Sequence, residues 1–306
     1  MSISTNYMGP KVIFADGENN LKEVHQLLDD FQKVGIYAGL DSTLSVGRPY
    51  DLILSLRDKE SFGIADICIS TISMNNQHLL YRTETSKQRI SDFILIRKAL
   101  DEWQQKQPLW ACVLIGGKSS RMGSPKHLIM GASHKSWLEE KVDVLSPFVE
   151  GVVFSGAGEI PASLSEYVRV YDINGLVGPM AGIASIMQRY PQRSWIVCAC
   201  DMPLVSETAV QWLIKQRRFA QKALIPMRDG AKKGRLGVFP EPLFACYESS
   251  CRENIEVLTQ KGILRVSKII EQRGVLCPVI PQEIQNAWAN INTPEEVNKV
   301  KDYRLK

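Results

Sequence analysis

The chain has 306 residues, 44% of them hydrophobic, and a net charge of +4. That length suggests two domains, each with apolar residues enough for a core of its own, and no apolar run approaches the roughly 20 residues of a membrane-spanning helix. Seven scattered cysteines, an odd number, fit the reduced thiols of a cytoplasmic protein better than a disulfide scaffold, and the opening Met1-Ser-Ile-Ser-Thr-Asn has neither the basic nor the apolar part of a secretory signal.

In chain order, residues 1–10 read as a lead-in and Lys11–Ala15 as a short strand. Asp16-Gly-Glu-Asn-Asn20 is turn and helix-cap chemistry, and Leu21, Val24, Leu27, Leu28 and Phe31 follow at helical spacing. Val34–Gly39, Tyr50–Leu56 and Ile64–Ser73 read as further strands. The Asp16–Asn20 loop is placed to bind phosphate but carries two carboxylates and no lysine, and Asp51 reads as a cap or turn residue. Thr83–Arg89 leads into a helix bearing Ile90, Phe93, Ile94, Leu100 and Trp103, and Gln104–Pro108 reads as a linker. Residues 1–105 are therefore expected to form a small α/β domain with an interaction or regulatory role, and 106–306 a second domain.

The second domain opens with the apolar strand Trp110–Ile115, ended by Gly116 and Gly117. Lys118, Ser119, Ser120, Arg121, Gly123 and Lys126 follow. A buried strand running into small residues and cations suits phosphate. Glycines admit a close anion, Arg121 offers a planar fork and Lys126 a point charge. The string is neither a Walker loop nor Gly-x-Gly-x-x-Gly. Trp137, Leu138, Val142, Leu145 and Phe148 then form a helical stripe. Gly151–Ser155, Val168–Asp172 and Ser194–Cys200 read as strands, with a turn into a helix at Gly178–Ile183. Ala223–Met227 and Leu236–Phe239 read as the strands of a hairpin around a basic loop, Arg228–Arg235, and Ile263–Ile270 as helical. Ala289–Glu296 reads as a strand end followed by a Thr293 cap with Pro294 in the first helical turn. Strands alternating with helices predict a doubly wound, mainly parallel, Rossmann-like sheet, in which ligands bind beyond the C-terminal strand ends. Gly116, Ser155, Asp172 and Asp201 all fall there. Asp201 and Asp172 each also suit a helix cap. His127 and His134 read as surface residues, and Cys198-x-Cys200 as strand packing.

Charge is uneven. Residues 1–105 hold 11 Lys/Arg and 14 Asp/Glu, net −3, and the remaining 26 and 19 give residues 106–306 a net +7. The cations are dispersed, which favours a phosphate-bearing small molecule over a nucleic-acid groove.

Leu114-x-Gly116-Gly117-x-Ser119-x-Arg121-Met122-Gly123-x-x-Lys126 resembles the signature of nucleotidyltransferases that join a phosphate to an NTP, and most closely the molybdenum cofactor guanylyltransferases. The resemblance runs from about Trp110 to the C-terminus and leaves the first third unexplained. Cys-Asp201-Met-Pro-Leu resembles that family's metal-binding Asp motif, Gly178-Pro-Met-Ala-Gly182 its Gly-Pro-Leu-Ala-Gly segment, and Asn290-Ile-Asn292-Thr-Pro-Glu-Glu its ending. The resemblance implies transfer of GMP from GTP to the terminal phosphate of molybdopterin, with release of pyrophosphate. It implies catalysis by Arg121, Lys126 and Asp201, with Asp201 holding Mg²⁺. The implied nucleotide site comprises Leu114, Gly116, Gly117 and Lys126 on the first strand and loop, with Ser155, Asp172, Gly178 and Asp201 across from them. Arg235, Asn290 and Asn292 fall on the acceptor side. Two departures stand out: Ser155 where the family often has Asn, and Gly234-Arg235 where it commonly has His-Pro. They motivate an alternative with CTP or another phosphate acceptor. A third hypothesis is a non-catalytic nucleotide-binding chaperone or regulator whose N-terminal domain docks a molybdoenzyme or cofactor-pathway protein.

Overall fold

A computed structural model describes residues 11–14, 21–33, 36, 38–40, 52–56, 67–70, 79–82, 89–116, 125–131, 133–232 and 235–297. The chain divides into two compact units, Met1–Gln107 with Arg218–Ala220, and Pro108–Arg217 with Gln221–Lys306.

The first unit contains β1 (Lys11–Phe14), α1 (Leu21–Lys33), β2 (Ala38–Leu40), β3 (Leu52–Leu56), β4 (Ile67–Ser70), β5 (Leu79–Arg82) and α2 (Arg89–Lys106). Its sheet has the order β2-β3-β1-β4-β5, parallel throughout, with β1 between strands reached in opposite directions. This is an open, parallel α/β sheet. β5 has no counterpart in the sequence reading. Its four residues are too few to show alternation. The helix read up to the linker extends further than expected, because α2 includes Gln104–Lys106. Pro108 restricts only the residue before it, and Gln and Lys are good helix formers. Within this unit Asp101 accepts from the Phe219 amide at 2.8 Å, and Phe219 packs edge-on against Trp103. The Asp16–Asn20 loop and Asp51 lie outside the described residues.

The second unit begins with β6 (Leu109–Leu114), α3 (Trp137–Leu145), β7 (Gly151–Ser155), β8 (Val168–Val170) and α4 (Pro179–Arg189). It continues through β9 (Ser194–Ala199), α5 (Glu207–Lys215), β10 (Ala223–Leu224), β11 (Met227–Lys232), β12 (Arg235–Pro240), β13 (Phe244–Tyr247), α6 (Arg252–Gln260) and β14 (Val275–Leu276). Seven strands form one sheet, β14-β10-β13-β9-β6-β7-β8. All its pairings are parallel except those of β13, which runs against both β9 and β10. Two reversals cancel, so β10 and β14 point the same way as β6 to β9. Their C-terminal ends share one sheet edge. This is the mainly parallel, Rossmann-like sheet that the alternation of strands and helices predicts.

Both faces of this sheet are buried, which is why β6, and β9 after Ser194, are apolar at every position rather than at alternate ones. Ala111 and Val113 of β6, with Ile196 and Cys198 of β9, face a layer that includes Leu138, Val142 and Leu213. Cys112, Leu114, Trp195 and Val197 face the opposite layer, with Met180, Ile183 and Ile255. A capping box starts α3: the Ser136 hydroxyl accepts from the Glu139 amide, and Glu139 accepts from the Ser136 amide. A hairpin forms as the sequence predicts, but its strands run into the stretch read as a basic loop. Met227–Lys232 and Arg235–Pro240 pair residue for residue as an antiparallel hairpin. Arg, Asp, Gly, Ala and Lys are poor strand formers, so β11 owes its conformation to β12. Ile263–Ile270 is also corrected: only Val266–Glu271 turns, as a 3₁₀ helix.

Candidate active site at the strand ends

The sheet edge shared by the C-terminal ends of β6 to β10 and β14 gathers Leu114, Gly116, Ser155, Asp172 and Asp201, with Lys126 and Asn292 against Asp201. The Ile115 amide donates to the Ser155 carbonyl at 2.8 Å, carrying the β6–β7 pairing one step past the strand. Gly116 follows and lies against Gly156, which has φ +114°. A Cβ on Gly156 would stand 2.7 Å from the Gly116 nitrogen, so the two loops approach this closely only with glycine there. Gly178, at φ +71°, precedes α4, and Pro179 occupies its first turn. Inside α4, a Cβ on Gly182 would meet Leu114 Cδ2 at 2.8 Å and Ser155 Oγ at 2.9 Å. Leu114, Ser155 and the start of α4 are thus in direct packing contact.

Gly117 and Arg121 lie outside the described residues. The chain is described again from Pro125, which precedes a 3₁₀ turn over Lys126–Leu128. That turn brings Lys126 Nζ to 3.1 Å from Asp201 Oδ2 and 2.7 Å from Asn292 Oδ1. The Lys126 and Asp201 side chains are 15% and 21% exposed, open enough to meet a ligand. Asp201 stands two residues past β9, and its carbonyl accepts from the Ile291 amide at 2.8 Å. This fixes the Asn290–Asn292 segment beside it. Asn292 is held in turn by its amide to Glu296 Oε2 at 2.6 Å, and Thr293 Oγ1 accepts from the Glu296 amide. The Thr293 cap is therefore formed as the sequence predicts. Asn290 is exposed. Arg235 opens β12 opposite Lys232.

Among the described residues, Asp201 Oδ1 at this edge is buried without a hydrogen-bond partner. Asp172 lies just beyond β8, and burial raises its carboxyl pKa, opposed in part by the nearby Ser155 hydroxyl. The next residue is anchored, since the Ile173 amide donates to Ser185 Oγ of α4 at 2.9 Å. Among the described residues, no group of three or more His, Cys, Asp or Glu side chains is placed to hold a metal.

Two residues at this edge escaped the sequence reading. His127 is buried, not on the surface, with 3% exposure. Its Nε2 lies 2.6 Å from the Glu159 carbonyl, which only accepts, so Nε2 carries the proton. Burial lowers its pKa. The ring ties the turn after β6 to the loop after β7, and nothing in the flanking sequence signals that pairing. His134 is exposed, as expected, and so is Cys198 buried as strand packing. The second residue is Lys141, 3% exposed on the core face of α3. Its signal was present: a cation inside the Trp137-Leu138-Val142-Leu145 stripe.

A doubly wound sheet with a lysine, a carboxylate and a close glycine pair at its C-terminal edge has the plan of a nucleotidyltransferase. The family model for the MobA-like NTP transferase domain matches residues 111–275, more than half of the chain. The chain belongs to that family. A molybdenum cofactor biosynthesis bifunctional protein from Synechocystis is 31% identical over 197 residues, which are 63% of this chain and 54% of that protein. The chain thus spans about half of that relative's length. A probable molybdenum cofactor guanylyltransferase from Bacillus mycoides is 29% identical over 192 residues, 60% of this chain and 91% of that protein. The crystal structure of molybdopterin-guanine dinucleotide biosynthesis protein A from Archaeoglobus fulgidus superposes with a TM-score of 0.52 at 27% identity, over 64% of this chain and 99% of that one. No helix among the described residues is long and apolar enough to cross a membrane.

Proposed function

We propose that this protein transfers GMP from GTP to the terminal phosphate of molybdopterin, forming a phosphoanhydride and releasing pyrophosphate. The observation that carries the reading is the Lys126 ammonium held between Asp201 and Asn292 at the strand-end edge. It joins the phosphate-type loop to the two segments that resemble the family's metal and acceptor sides. An oxygen of the acceptor phosphate attacks the α-phosphorus, and the bond from that phosphorus to the pyrophosphate oxygen breaks. The attacking group is already an anion, so no general base is needed, and catalysis is positioning and charge neutralisation. Gly116 and Gly117 admit the phosphates, and Arg121 and Lys126 offset their charge. Lys126 exchanges its bond to Asp201 for the phosphates, and Asn292 stays on the acceptor side with Asn290 and Arg235. Asp172 accepts from the guanine base, with Ser155 and Gly178 lining the same end.

Mg²⁺ fits this donor set. Asp201 Oδ1 is a buried carboxylate oxygen that accepts no hydrogen bond from the described residues, and Mg²⁺ is commonly held by one or two carboxylates together with substrate phosphates. Bound there, the cation supplies charge neutralisation at the phosphates.

Ser155, where the family often has Asn, favours a second reading in which CTP replaces GTP. Pyrophosphate release from each NTP, with Mg²⁺ and purified molybdopterin, tests both. Release with GTP alone supports guanylyl transfer. Release with CTP alone moves the base assignment, and silence with both overturns the proposed reaction.

A further inference from the structure

Lys141 occupies a core position. The buried face of α3 is Trp137, Leu138, Lys141, Val142 and Leu145, and an ammonium at 3% exposure has given up nearly all its water. Methionine would fill a similar volume at less cost in desolvation. What methionine lacks is a donor, and Lys141 Nζ donates to the backbone carbonyl of Met202, the residue between Asp201 and Pro203. The turn is held at two successive carbonyls: Asp201 by the Ile291 amide and Met202 by Lys141. Among the described residues, Asp201 Oδ1 remains buried and unpartnered. The capping box of Ser136 and Glu139 fixes where α3 begins, and so which residue of the helix faces the turn.

We propose that Lys141 is a positioning residue for Asp201: its buried ammonium pins the Asp201-Met202-Pro203 turn from beneath and so sets the direction of the carboxylate that faces the cation and nucleotide. The inference rests on the nucleotidyltransferase reading of Asp201. Lys141 itself touches no reacting atom.

The test uses the full chain and two variants, Lys141→Met, which removes the donor, and Lys141→Gln, which keeps a shorter one. The first readout is binding of a fluorescent GTP or CTP analogue titrated with Mg²⁺. The second is amide hydrogen exchange over residues 199–205 without ligand. Lys141→Met is expected to raise the Mg²⁺ concentration for half-maximal binding about tenfold or more, as loss of an outer-shell partner does. Exchange in the turn should speed up with it, and Lys141→Gln should fall between Lys141→Met and wild type. Where Lys141→Met lacks a cooperative melt, Lys141→Gln carries the comparison. Wild-type Mg²⁺ dependence and exchange in a folded variant overturn the inference alone. Wild-type protein that binds the nucleotide with no dependence on Mg²⁺ overturns the reading of Asp201 and the inference with it.

Discussion

Lys126 and Asp201 neutralise each other across 3.1 Å, and that contact joins segments far apart in the chain. Both side chains retain some solvent, so their pairing adds little to stability, about 1 kcal/mol or less. Their value to transfer is larger, because a cation aimed at developing phosphate charge is worth about 10²–10³ in rate. Lys126→Ala and Asp201→Asn should each lower pyrophosphate release by at least about that factor, with melting temperatures close to wild type. Full activity in either variant would remove the pair from the mechanism. His127 makes a different claim. Its folded pKa is lowered, and the ordinary value is 6.5. A group lowered in this way contributes stability that is complete above its unfolded pKa and is lost as pH falls toward the folded one. Wild-type protein should therefore lose melting temperature on acidification from above pH 6.5, and His127→Asn should show a shallower loss over the same interval. Parallel profiles for the two proteins would show that the buried imidazole is not what titrates.

Between residue and fold stand the loops that bring the strand ends together. Gly156 takes φ +114° and leaves no room for a Cβ against Gly116. Gly156→Ala combines left-handed strain with a backbone clash, and should cost at least about 1–3 kcal/mol. It should also raise the KM for NTP, because the phosphate loop begins at Gly116. A denaturation midpoint and a KM that both match wild type would mean that the loops part without consequence. The sequence made these elements legible to unequal degrees. β6 and β9 were plain because burial on both faces leaves an unbroken apolar run, and the Thr293 cap because Thr-x-x-Glu is a local signal. β11 was hidden because its polar, glycine-containing residues become a strand only against β12. Parallel neighbours on one sheet edge made Gly116, Ser155, Asp172 and Asp201 converge on paper. The contacts of His127 and Lys141 carried no such pattern, since the carbonyls of Glu159 and Met202 that they bond are backbone groups, which no residue type announces.

At the scale of the whole chain, charge is divided: net −3 over residues 1–105 and net +7 over residues 106–306. The family domain lies within the positive part, and the proposed substrates are both phosphate anions. A positive field over a cleft raises the encounter rate of an anion, and salt screens it over about 8–10 Å at 0.1–0.15 M. The Lys126–Asp201 contact is shorter than that length and partly buried, so salt reaches it less. Encounter and chemistry should therefore separate. Raising NaCl from about 0.05 to 0.5 M at fixed Mg²⁺ should lower kcat/KM for NTP several-fold and leave kcat nearly unchanged. A fall in kcat of the same size would place the screened charges within the transition state instead. An unchanged kcat/KM would mean that the excess positive charge of residues 106–306 faces away from the path of the nucleotide.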